Sequence, residues 1–157
     1  MAGSLLFLLR GVKTLQISGR FTIAVHILTC IDYFHDKYTI TSEFLASSVG
    51  VNPVIIRQII LQLKAAGLVE VLRGKKGMKL LRSLEDITLY DVYKAVDSVK
   101  GKLFRVHENP NPKCPVGRNI HNALDESLDD IQEALEAKMK SITLKNIRLK
   151  IKEDPPA

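Results

Sequence analysis

The sequence predicts a mainly α-helical fold with a small two-stranded β wing and a long C-terminal helix. Three observations predict it. Between Thr41 and Ala66, two short helical patterns are separated by Val49-Gly50-Val51. Behind them, two β-rich runs flank Gly74-Lys75-Lys76-Gly77. Further on, apolar residues recur at steps of three and four from Ile120 to Ile142. The first two together have the order of a winged helix-turn-helix, and the third adds a helix suited to dimerisation.

Each element follows from local chemistry. Ser18 can cap a first helix that places Phe21, Ala24, Ile27, Leu28 and Ile31 on one side, completing a three-helix core. Thr41 can cap the next, from Ser42 to about Ser48, its side-chain oxygen accepting an unpartnered backbone N–H while Glu43 meets the positive end of the helix dipole. Gly50 supplies the turn, because glycine adopts left-handed backbone at little cost. Asn52-Pro53 starts the next helix, to about Ala66, with a preferred N-cap followed by proline at the first helical position. Ile56, Ile59, Ile60 and Leu63 fall on its core face, leaving Val54, Ile55, Arg57, Gln58, Leu61 and Gln62 more exposed. Gly67 ends it. Leu68–Arg73 and Met78–Leu81 read as the two strands of a hairpin. Thr88-Leu89-Tyr90-Asp91 fits a capping box for a helix from Leu89 to about Val96.

Gly101–Gly117, with Pro110, Pro112 and Pro115, reads as a loop. The long helix then runs from about Val116 to Ser141 and outlasts the small head it is attached to. Thr143 can start one last short helix. The organisation is therefore an extension over 1–16, to which no function is assigned, a DNA-binding head over 17–100, a loop over 101–117, and a dimerisation helix with a C-terminal helix over 118–157.

Charge supports this division. The 157-residue chain has a formal net charge of +6, with 46% hydrophobic and 25% charged residues, as in an ordinary folded protein. Between Thr39 and Arg82, seven basic residues face only Glu43 and Glu70, so the predicted partner of this segment is double-stranded DNA. In a recognition helix, arginine matches the paired acceptors of guanine and glutamine the donor–acceptor pair of adenine. The candidate DNA-binding residues are Arg20, Thr41, Ser42, Asn52, Pro53, Val54, Arg57, Gln58, Arg73, Lys75, Lys76 and Lys79. The long helix carries six acids against three basic residues and should avoid DNA. Its stripe of Ile120, Leu124, Leu128, Ile131, Leu135 and Met139 is the candidate homodimer surface.

Two cysteines, Cys30 and Cys114, cannot build a disulfide framework, and a cytoplasmic setting without membrane partners is expected. Leu5–Leu9 is too short an apolar burst to span a bilayer. His26 and Cys30 stand four apart on one helix but lack further ligands, so no metal site is expected. Cys114 precedes Pro115 at the start of the long helix, with Lys113 and Arg118 nearby. Helix dipole and cations there favour a thiolate, which makes Cys114 a candidate redox sensor beside the plainer reading that it packs the loop. No enzyme is expected: Cys114 and His121 lie two helical turns apart, with no orienting acid or oxyanion site. The competing class is a winged-helix protein-interaction module without DNA specificity.

Several runs resemble the Rrf2 family of winged-helix transcription regulators: Ser18-Gly19-Arg20-Phe21, Asn52-Pro53, Lys64-Ala65-Ala66-Gly67-Leu68-Val69, Arg73–Gly77 and Asp86–Val96. The run His107–Gly117 resembles the YwnA-like branch. The resemblance implies a homodimer joined through the long helix, binding a roughly palindromic operator and usually repressing. Family wings commonly continue Gly-Gly-Tyr, whereas this chain has Gly77-Met78-Lys79. Cluster-binding members carry three cysteines in the loop and the start of the long helix, whereas only Cys114 stands there in this chain. No iron–sulphur cofactor is therefore expected, and the effector is open.

Overall fold

The computed structural model describes residues 19–74, 77–96, 103–104 and 106–152. The extension over 1–16, Ser18, Lys75 and Lys76 lie outside the described residues. The order is α1 (Gly19–Phe34), α2 (Ser42–Val49), α3 (Pro53–Ala65), β1 (Val69–Val71), β2 (Met78–Leu80), α4 (Leu89–Val96), α5 (Pro115–Lys140) and α6 (Leu144–Arg148). The mainly helical architecture with one two-stranded antiparallel sheet is the one predicted.

Local capping explains why the head folds as it does. Phe44 N donates to Thr41 Oγ1 at 3.1 Å, and Val54 N to Asn52 Oδ1 at 2.8 Å. Gly50 adopts φ 75° and donates its N–H to Ala46 O, closing α2. The chain turns by 112° between α2 and α3, within the range of helix-turn-helix pairs. Thr88 and Asp91 exchange capping bonds, Thr88 N donating to Asp91 Oδ2 at 2.8 Å and Asp91 N to Thr88 Oγ1 at 3.1 Å. Ile27, Leu28, Leu45, Ile56, Ile59 and Leu63 are fully buried among α1, α2 and α3, and their burial is the main force holding the three helices together.

The strands are shorter than the predicted runs, because pairing is confined to Val69↔Leu80, Glu70↔Lys79 and Val71↔Met78. Beyond Val71, one further bond, Leu72 N to Gly77 O at 2.9 Å, closes the hairpin. Gly77 has φ 77°, and a Cβ there would stand 2.8 Å from Ile40 O and 2.9 Å from Ile40 N. Only glycine lets the wing's base lie against the segment that leads into α2.

The C-terminal part returns to the head. Leu89 N donates to Ile142 O at 2.9 Å and Leu144 N to Ile87 O at 2.8 Å, around an isolated antiparallel bridge between Thr88 and Thr143. Leu144 is fully buried, and Lys145 pairs with Glu85. The 26 residues of α5 extend over roughly 39 Å at about 1.5 Å per residue. Its last turns pack on α4, where Lys140 Nζ sits 4.3 Å from the Tyr90 ring centroid. Met139 is consequently only 8% exposed. This corrects its place in the predicted dimer stripe, because its side chain is already covered within its own chain. Leu124 and Ile131 remain 37% and 50% exposed.

No single helix among the described residues is long and apolar enough to cross a membrane.

Candidate nucleic-acid interface

Helix α3 divides cleanly into two faces. Ile56, Ile59, Ile60 and Leu63 are buried, while Val54, Ile55, Arg57, Gln58 and Leu61 stand in solvent. Asn52 spends its side-chain oxygen on the cap, which leaves its amide N–H groups as donors at the helix N-terminus. Pro53, half-buried, forms the first helical position. Thr41 likewise uses its hydroxyl oxygen to cap α2. It therefore positions the motif whether or not it also meets a phosphate.

The charged groups on this face are engaged with one another. Arg57 Nη2 donates to Glu43 Oε1, and Arg57 Nε to Ser42 Oγ at 3.4 Å. Glu43's own backbone N–H, then Arg57 and Ser42, hold its carboxyl below the usual carboxylate range. The sign follows: a lowered carboxylate pKa keeps the pair ionised at neutral pH, and its contribution disappears only as pH falls through that lowered value. Arg20 Nη2 donates to Gln62 Oε1 at 2.8 Å and Nη1 reaches Gln58 Oε1 at 3.5 Å. Arg20 thus braces α1 against α3. This bracing is compatible with the direct DNA contact expected of Arg20, as the bonds of Arg57 to Glu43 and Ser42 are with its own.

On the wing, Lys79 Nζ meets Glu70 Oε2 at 3.0 Å across the strand pair, while Arg73 is exposed beside Gly74. Arg82 bonds Asp86 O and lies 3.7 Å from Asp91, so it serves the α4 cap. Several of the segment's cations are therefore offset by internal acids. Such exposed pairs are worth only about 0–1 kcal/mol, and phosphates can displace them. Sequence reasoning missed Glu43 as the partner of Arg57, since it weighed Glu43 only against the helix dipole. A Glu43→Gln variant should bind duplex DNA about three- to fivefold more tightly, because it releases Arg57 and removes a negative charge. Fluorescence anisotropy on a labelled duplex checks this; unchanged or weaker binding would show that Glu43 does not compete.

Known proteins agree with this geometry. Residues 17–148 match the family described as Rrf2, iron-dependent transcriptional regulator. Over 132 residues, covering 84% of this chain and 96% of the relative, the sequence is 44% identical to Bacillus subtilis YwnA, named as an HTH-type transcriptional regulator. The chain belongs to the Rrf2 family. As a member of this family of transcriptional regulators it is not an enzyme. A solved structure titled as a DNA binding protein is 38% identical, with a TM-score of 0.65 over 82% of this chain and 97% of that one. The cysteine regulator CymR of Bacillus subtilis shares the fold at 19% identity, with a TM-score of 0.67 over 88% of this chain and all of its own.

Within the Rrf2 chain, Cys114 occupies the N-cap position of α5 and makes no side-chain capping bond. The loop before it is tight: Asn109 takes φ 57°, Cys114 N donates to Asn111 O at 3.1 Å, and a Cβ on Gly117 would stand 2.6 Å from Asn111 O. The His107 and His121 rings meet edge-to-face at 5.1 Å. Cys30 lies in α1 and is buried beside Ser48. No group of three metal-ligating side chains occurs among the described residues.

Proposed function

We propose that this chain is a homodimeric repressor that reads a roughly palindromic operator with α3 in the major groove and the wing against the adjacent backbone. The carrying observation is the exposed face of α3, which offers Asn52, Arg57 and Gln58 near its N-terminal end above a fully buried apolar face. That is where a recognition helix meets base edges. The dimer reading rests on Leu124 and Ile131, apolar and exposed on a helix otherwise lined with acids. Ile120, Leu128 and Leu135 are half-buried along the same stripe. Exposed apolar residues arranged in one stripe mark a surface meant to be covered. Repression is supported by the family resemblance alone.

Salt separates this reading from a protein-interaction module. If a dimer neutralises about six phosphates, its affinity should fall roughly 10³-fold between 50 and 200 mM salt. A nearly flat salt profile would reject DNA as the partner.

Although the family description names iron, we propose that this member works without an iron–sulphur cluster. Its two cysteines stand on α1 and at the start of α5, and the three-thiolate loop of cluster-binding relatives is missing. Protein purified without oxygen should show no thiolate-to-iron absorption in the visible range, and a brown preparation with stoichiometric iron would overturn this.

A further inference from the structure

A groove of about 920 Å³ opens between α1, the end of α2 and the segment around and after α6. That volume is in the range of small-molecule sites. Its apolar lining includes Val25 and Phe34 of α1 with Ile147 and Ile151 from the C-terminal segment. Aromatic rings extend it: Tyr33 and Tyr38 line the groove, and Tyr38 stacks on Phe44 of α2 with centroids 5.7 Å apart.

Charge enters the lining through two lysines. Lys37 and Lys152 both line the groove, and no acidic side chain does so among the described residues. Lys37 Nζ lies 4.8 Å from the Tyr33 ring centroid. At another point of the lining, Ser48 Oγ stands 3.2 Å from His26 Nε2 and 3.3 Å from Cys30 Sγ. Burial pushes the Cys30 thiol up, so Cys30 serves there as a hydrogen-bonding thiol rather than a nucleophile.

An apolar and aromatic trough with two ammonium groups and a compact polar cluster fits one ligand chemistry. We propose that the groove binds a small amphipathic carboxylate, an aryl-alkyl or medium-chain acid, with its tail on Val25, Phe34, Ile147 and Ile151 and its anionic head toward Lys37 and Lys152. The position gives binding a consequence. Ser48 lies two residues before Gly50, the pivot between α2 and α3, and Ile147 belongs to α6, which follows α5 directly. An occupant would touch the reading head and the segment leading out of the long helix together, so occupancy shifts operator affinity. This regulatory half rests on the DNA-binding function proposed above; the binding half does not.

The test titrates isotope-labelled full-length protein with 4-phenylbutyrate and its uncharged amide, following backbone amide resonances. The acid should give saturable shifts confined to Thr22–Tyr38, Ser48 and Ile147–Lys152, and the amide should bind about fivefold more weakly, as expected for the loss of two exposed charge pairs. Thr22→Trp, at an exposed position on the groove's lining, should abolish the shifts. The double variant Lys37→Gln/Lys152→Gln should weaken the acid and leave the amide unchanged. Diffuse or unsaturable shifts, or equal affinities for acid and amide, would overturn the site. Operator affinity measured with the groove saturated should change at least threefold. A change below twofold would overturn the regulatory half while leaving DNA binding intact. Failure of the DNA reading itself shows separately, as an absence of any selected sequence with free protein, and it also removes the regulatory half.

Discussion

Replacing Arg57 with alanine is expected to relax sequence preference at one position of each half-site while leaving binding to random DNA within a few-fold of the wild type. Two partners compete for the same guanidinium. In the free protein Arg57 is held by Glu43 and Ser42 on an exposed surface, where water screens the pair and leaves it weak. A bidentate bond to guanine is worth about 1–3 kcal/mol of discrimination, so the operator wins the exchange. With one such bond in each half-site, the variant loses two, which should cut the ratio of operator to random-DNA affinity by roughly 30-fold or more. Competition binding with operator and scrambled duplexes measures that ratio. An equal loss on both duplexes would make Arg57 a phosphate contact and remove it from base readout.

The double substitution Leu124→Glu/Ile131→Glu should convert the dimer into a monomer and weaken operator binding by about 10²-fold or more. Two carboxylates would enter the exposed stripe of α5, on a helix already rich in acids, and burying them against a second copy would leave charges without partners. Because both side chains are exposed in the single chain, the head should keep its fold and its thermal midpoint, which separates loss of assembly from unfolding. The DNA effect follows from linkage, since joining two binding heads raises apparent affinity by roughly 10²–10⁴-fold. Sedimentation with and without operator checks both parts. A variant that remains dimeric would move the interface elsewhere on the chain.

The contrast between α3 and α5 shows what the sequence could and could not convey. Capping is local: Thr41, Asn52 and Thr88 announce their helices within three residues, and each makes the bond expected of it. The core face of α3 was equally legible, because a helix period fixes which residues share a side. Periodicity does not name the partner that covers a face. Met139 continues the α5 stripe without a break, yet it is buried within its own chain. Links that cross long stretches of chain were also hidden. The Arg57–Glu43 pair spans 14 residues and the Arg20–Gln62 bond 42, and neither follows from spacing. The bridge between Thr88 and Thr143 is made by backbone, so no side-chain pattern signals that the C-terminal segment folds back onto the head. The groove proposed as a ligand site arises from that same return.

The central claim is that two copies of α3, held at a fixed separation by α5, read one symmetric sequence. Selection of bound duplexes from a random pool with the full-length protein tests it most directly. The predicted result is an inverted repeat whose half-sites lie about 10–10.5 base pairs apart, centre to centre, or a multiple of that spacing. Recovery of a single unpaired half-site, or of no common sequence, would contradict it.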